Sequence, residues 1–307
     1  MMINTTNLSC EYSAEIEAMV LFSGVNKLTR KRVVLAQAII HGVCCPFTVT
    51  LNFLIILVLL KIRSLRSNTN IMIGLLAVVD LLMGLIIQPS LVAENIMHYS
   101  KDQFSCSDLI YHYHSDRVLF LVLQTLTFSS LHHLTLINIE RYIGIRETFR
   151  YPVIITQKRL VIAVVCAWLL AGILSFNVIF PALILPMNTS VLACVLVCVY
   201  CSFVVTRESR RHHRQIIAQH MAVGLPPNML PRKAIWVFVF LTVVILISYI
   251  LAGLTRCLAD EATSILTLPS SLVVLNALFN PIIFISRSKE FRIELRGVLG
   301  IRPGAER

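Results

Sequence analysis

Seven apolar stretches, most of them about twenty residues or longer, divide this chain: 33–60, 71–97, 117–139, 160–182, 188–206, 234–256 and 265–286. Coiled as helices, runs of that length span the ~30 Å hydrocarbon layer of a bilayer. Backbone N–H and C=O groups in hydrocarbon must be satisfied within their own segment, so each stretch reads as an α-helix. The expected fold is therefore all-α: a seven-transmembrane helix bundle over 33–286, preceded by segment 1–32 and followed by 287–307. Composition agrees, with 57% hydrophobic and 14% charged residues and a mean hydropathy of +0.79. Soluble domains carry about a quarter charged residues. The fifth stretch is the shortest, and its border with the fourth rests on a tight turn at Pro181 and Pro186.

A net charge of +11 would suit a nucleic-acid partner, but the Lys and Arg residues lie between the apolar runs rather than on one face. Twenty of the 27 fall in 61–70, 140–159, 207–233 and 287–307; seven fall in or beside the alternate segments. The positive-inside bias then puts residue 1 outside and the C-terminus inside. The cluster Lys27 to Arg32 runs against that bias. No cleavable signal peptide is visible, so the first span is expected to act as the insertion signal. Asn4-Thr5-Thr6 and Asn7-Leu8-Ser9 fit the glycosylation pattern for an outer segment. In the tail, Phe291, Leu295, Val298 and Leu299 share one helical face, the pattern of a short amphipathic helix on the inner membrane surface. There is no internal repeat, which weighs against a transporter built from two equal halves.

Polar residues inside the spans carry the functional information. Asp80 sits near the middle of the second span, where an acid costs about 2.5–3.5 kcal/mol on insertion scales, so it should face the bundle interior. Its candidate partners are Asn52, Ser130, Asn276 and Asn280. Uncharged oxygens around one carboxylate could hold a hydrated monovalent cation, or water and a proton, or could merely pack helices. Pro281 interrupts the seventh span, and the carbonyl its missing N–H frees needs another partner. Glu140-Arg141-Tyr142 closes the third span at the inner boundary.

Together, Asn52, "LAVVDL" around Asp80, "ERY" at 140–142, Trp168 and "NPIIF" from Asn280 resemble the rhodopsin-like family of G-protein-coupled receptors, in order, spacing and orientation, over residues 33 to 299. The resemblance implies a plasma-membrane receptor with no catalytic residues, an extracellular ligand and a heterotrimeric G protein as partner. It implies that Arg141 is held by Glu140 at rest and released to meet the G protein, with Tyr142, Tyr200, Asn280 and Pro281 in the switch. It also implies a possible sodium ion with water at Asn52, Asp80, Ser130, Asn276 and Asn280. Three departures stand out. Phe284 replaces the family's tyrosine after Asn-Pro. The sixth span lacks proline and a central Trp, its only Trp being Trp236 near the inner end. No acid lies at the inner end of that span, leaving Glu140 as the expected restraint on Arg141.

On the outer side, Asp116 stands where most of the family carry a cysteine bridged to the second outer loop. Cys10, Cys106 and Cys257 are the only cysteines expected outside, allowing one bridge with one thiol left over; Cys10–Cys257 is the pairing put forward. Leu123 replaces the aspartate of amine receptors, and Val274 the retinal lysine of opsins. A short second outer loop, a fifth span without proline and Asp116 resemble the melanocortin, lipid, cannabinoid and adenosine receptor group. A peptide or small cationic ligand at Glu94 and Asp116 is the expectation, against the simpler reading that both acids face water. The alternatives for the whole chain are a transporter or channel with its ion site at Asp80, and a weakly signalling receptor-fold partner of another receptor.

Overall fold

A computed structural model describes residues 27–100, 106–222 and 267–300, and over these the chain is helical. Helix α1 runs Lys27–Lys61, and a 3₁₀ turn at Arg63–Leu65 leads to α2. This helix comprises Asn68–Leu82, a π-helical turn at Met83–Ile87 and Gln88–Ser100. Helix α3 runs Cys106–Arg146, and a single turn at Tyr151–Ile154 precedes α4, Gln157–Ser175. Two 3₁₀ turns, Phe176–Val178 and Pro181–Leu183, make the expected tight connection to α5, Ile184–Ala222. Helix α6, Thr267–Arg287, is the seventh predicted span, and α7 is Lys289–Val298. The sixth predicted span, with Trp236, lies outside the described residues.

Five of these helices are long and apolar enough to cross a membrane, among them Lys31–Lys61 and Pro181–His212. Several outrun the apolar stretches that foretold them. Helix α1 starts inside the predicted outer segment, α3 starts at Cys106 rather than 117, and α5 continues through the basic run after Arg207. The physical reason is that hydropathy marks where lipid ends, whereas a helix can continue into water on local propensity and capping. Side-chain caps set several starts: Ser67 accepts from the N–H of Asn70, Thr156 from Arg159 and Ser288 from Phe291.

The bundle packs α1 against α2, α2 against α3, α3 against α4 and α5, and α6 back against α1 and α2. A close approach of α1 and α2 requires Gly84, in the π turn. A Cβ there would stand 3.0 Å from Val49 Cγ2 and 3.3 Å from the Val49 nitrogen. Leu35, Ile39, Val43 and Phe47 of α1 are exposed, as a lipid-facing row should be.

The amphipathic α7 is anchored by Phe291, which is fully buried among Ile55, Val58, Leu59 and Ala77. Its ring meets Phe284 edge-on, with centroids 4.8 Å apart. Burying that ring is worth about 1.5–3 kcal/mol. Phe284 thus serves as an aromatic support for α7.

Candidate functional site

Asp80 is buried on α2 just before the π turn, and its Oδ2 accepts a hydrogen bond of 2.8 Å from Asn280 Nδ2 on α6. Ser130 on α3 is its second hydrogen-bonding neighbour. Asn52, on α1, does a different job. Its Nδ2 donates to the carbonyls of Thr48 and Ala277, both at 2.9 Å. Ala277 is four residues before Pro281, which has no N–H to offer it, so Asn52 satisfies the carbonyl that the proline frees. Asn276 is also buried.

The Oδ1 atoms of Asn52, Asn276 and Asn280 are buried with no donor among the described residues. Neutral oxygens beside one carboxylate are a donor set that fits a hard monovalent cation or ordered water. Asn52, Asp80 and Asn280 line a cavity of about 280 Å³. It continues past Leu76 and Ile137 to Thr69, Arg141 and Glu290, so Asp80 and Arg141 share one space.

At the end of α3 beside the turn to α4, Glu140 is held more firmly than Arg141. Its Oε1 accepts from the Thr69 hydroxyl of α2 at 2.8 Å and from the Tyr151 hydroxyl of the following turn at 2.5 Å. Its Oε2 faces Arg141 Nε at 3.7 Å, an ion pair too long for a hydrogen bond. The Glu140 side chain is 4% exposed and that of Arg141 37%. Burial, together with the hydrogen bond to the Glu140 carboxylate, raises the Tyr151 pKa above its ordinary value, so Tyr151 stays a neutral donor. Thr69 and Tyr151 carried no signal in the sequence, because both act across the fold on a residue of another element.

Tyr142 and Tyr200 lie with ring centroids 5.9 Å apart, and Tyr200 is 57% exposed. Tyr200 therefore stands against Tyr142 on the outside of the α3–α5 seam. That seam is fastened by polar contacts along its length. His132 Nε2 lies 2.9 Å from Ser190 Oγ, Ser202 Oγ donates to Asn138 Oδ1 at 3.1 Å, and Arg146 meets Glu208 at 4.0 Å. His133 turns the other way and is fully buried, its ring 6.2 Å from that of Trp168. Both members of the His132–His133 pair thus lie between helices.

Toward the other end of the bundle, Leu123 packs with Leu119, Val122 and Leu126 against Met83, Ile87, Val274 and Ala277. Glu94 Oε1 is 3.9 Å from His98 Nε2. Asp116 lies in α3, but its side chain is outside the described residues, as are Asn4, Asn7, Cys10 and Cys257. Among the described residues six cysteines are free thiols, with Cys194, Cys198 and Cys201 buried.

Residues 51–226 match the family described as 7 transmembrane receptor (rhodopsin family). The chain belongs to that family. The matched stretch includes Asn52, Asp80, Ser130, Glu140–Tyr142, Trp168 and Tyr200. Among similar curated proteins, the alpha-1A adrenergic receptor of Bos taurus is 32% identical over 151 residues, covering 48% of this chain and 30% of that receptor. Its counterpart from Canis lupus familiaris is 32% identical, with 48% of each chain covered. The histamine H2 receptor of Cavia porcellus is 35% identical over 130 residues, covering 42% and 33%. The chain thus spans half or less of the length of the curated relatives it matches. For a rhodopsin-family chain, the cavity joining Asp80 to Arg141 is the natural place to seek the site of function.

Proposed function

We propose that this chain is a plasma-membrane receptor whose inner face, centred on Arg141, engages a heterotrimeric G protein. The observation that carries the reading is the loose Glu140–Arg141 pair, whose arginine lines the 280 Å³ cavity. A carboxylate anchored to α2 and to the inner turn, beside a half-free guanidinium, is a two-state element: the arginine can leave while the acid stays. Phe149 adds a docking feature. It is 100% exposed on the turn that follows Arg146, where an aromatic side chain offers a partner protein an anchor.

Asp80 with Asn52, Ser130, Asn276 and Asn280 would hold a sodium ion and its water in the resting packing; the ion would supply the countercharge for a buried carboxylate. This reading does not place a monoamine at the bundle centre. Leu123 and Val274 pack there in one apolar cluster, and neither offers a protonated amine a counter-charge. The names of the adrenergic and histamine relatives therefore do not transfer to this chain's ligand. Glu94 and Asp116 remain the candidate contacts for a cationic group or peptide at the outer rim. With the chain in the rhodopsin family, no observation favours the transporter alternative.

The test is a panel of G-protein activation assays in cells expressing the chain or Arg141→Ala at equal surface levels. The proposal expects activation of at least one G-protein class by the wild type and its loss in the variant. Indistinguishable behaviour across all classes would sink it.

A further inference from the structure

Helix α1 carries a line of buried polar side chains that the proposed switch leaves largely unused. Gln37, His41, Thr48 and Asn52 recur at one- to two-turn spacing on its inward face, and all four are buried. Neighbouring helices meet three of them. His41 Nε2 lies 3.2 Å from Ser271 Oγ on α6, Gln88 Nε2 donates to Thr48 Oγ1 at 3.3 Å, and Asn52 donates to the Ala277 carbonyl. Gln88 follows directly on the π turn and is fully buried. The turn leaves the Gly84 carbonyl to accept from Cys45 Sγ at 3.3 Å. Such turns recur where a helix gives up regularity for a polar site. Three buried atoms of this seam have no partner among the described residues: His41 Nδ1, Gln88 Oε1 and Asn52 Oδ1.

His41 is the group on this seam able to take up a proton on acidification. Of the other titratable groups on the elements packed around it, Cys44 and Cys45 share α1. Asp80 and the Glu94–His98 pair lie on α2, below and above it, and Lys31 lies toward the outer end of α1. Residues 271–286 of α6 contribute none. One ring nitrogen is engaged by Ser271, and the other, Nδ1, is open to a proton. Gln37, one turn outward and itself buried, is a polar step toward the outer surface.

We infer that His41 is a proton-binding site on the α1–α2–α6 seam, and that a proton taken up there from outside weakens cation binding at Asp80. This rests on the cation reading of Asp80 proposed above. The coupling is electrostatic. His41 stands about 16 Å from the level of Asn52 along α1 at ~1.5 Å rise per residue, and Asn52 and Asp80 line the same cavity. At an effective dielectric of about 20, a unit positive charge at that distance lowers monovalent-cation affinity about fivefold.

The experiment uses the full chain in lipid nanodiscs. Histidine-ring NMR across about pH 4 to 7.5 spans the range of a buried imidazole, with the His41 signal assigned by its absence in His41→Gln. Sodium is titrated by its effect on thermal unfolding at both ends of that range. The His41 ring should titrate, and half-saturation by sodium should rise about fivefold at the acid end through this site. His41→Gln should keep sodium binding and lose that increment; His41→Asn is the second neutral variant should Gln fail to fold. A His41 ring that does not titrate, or a pH increment unchanged in the neutral variant, would overturn the inference. A titrating ring with no sodium effect at either pH would instead reject the cation reading of Asp80 and the coupling with it.

Discussion

Removing the Tyr151 hydroxyl should release the restraint on Arg141 without touching the Glu140–Arg141 pair itself. Glu140 Oε1 is fixed by two hydroxyls, from Thr69 at 2.8 Å and Tyr151 at 2.5 Å. A hydrogen bond to a charged acceptor is worth about 1.5–3 kcal/mol. Tyr151→Phe keeps the ring and its packing and deletes one of the two. If about 1 kcal/mol of that bond belongs to the resting packing alone, the active population rises about fivefold from a small basal value. The assay is ligand-independent G-protein activation at matched surface expression, comparing wild type, Tyr151→Phe, Thr69→Val and the double variant. Each single variant should raise basal activity. The double should exceed either, with departure from additivity because both bonds share one oxygen. Unchanged or lowered basal activity in both single variants would refute the claim that an anchored Glu140 restrains Arg141.

Three further predictions concern stability and pH. Asn52→Leu should destabilise the chain by about 1–3 kcal/mol, since it strands the buried Ala277 carbonyl. Pro281→Ala in that background should recover part of the loss by restoring an N–H to that carbonyl, as read by thermal unfolding of the four members of the cycle. Gly84→Val should lower the melting temperature through overpacking of about 1–3 kcal/mol against Val49; an unchanged Tm would mean that α1 and α2 separate freely at this crossing. The Tyr151 pKa is raised in the folded state. Its contribution to stability should therefore be complete below the unfolded tyrosine pKa of about 10 and be lost as pH rises through the higher folded value. An alkaline unfolding series against Tyr151→Phe checks the sign: the two proteins should converge in stability at high pH.

Much of the membrane architecture was legible because lipid imposes length and satisfaction rules that hydropathy reveals directly. Asp80 could be placed inside the bundle from its cost in hydrocarbon alone, and Asn280 does bond it. The need for a partner to the carbonyl freed by Pro281 was legible too. That Asn52 would supply it was not, because the pairing depends on how α1 and α6 cross. The apolar stretches did not reveal that α1, α3 and α5 stay helical beyond them. Thr69 and Tyr151 were invisible for a related reason: a hydroxyl near a helix start or in a turn resembles solvent-facing polarity until the fold brings a carboxylate to it. The α3–α5 fastening through Asn138 and Ser202 left only the trace of polar residues within apolar spans. The Gln37–His41–Thr48–Asn52 row was open to inspection, since its spacing lies on one helical face.

The central claim is that Arg141 is the output of this receptor and Glu140 its restraint. Nucleotide exchange on purified heterotrimeric G proteins, catalysed by the purified chain, measures this directly. The account predicts an order of basal rates: Glu140→Gln above wild type, and wild type above Arg141→Ala, with the last at the level of the G protein alone. Equal rates for all three proteins, or exchange sustained by Arg141→Ala, would contradict it.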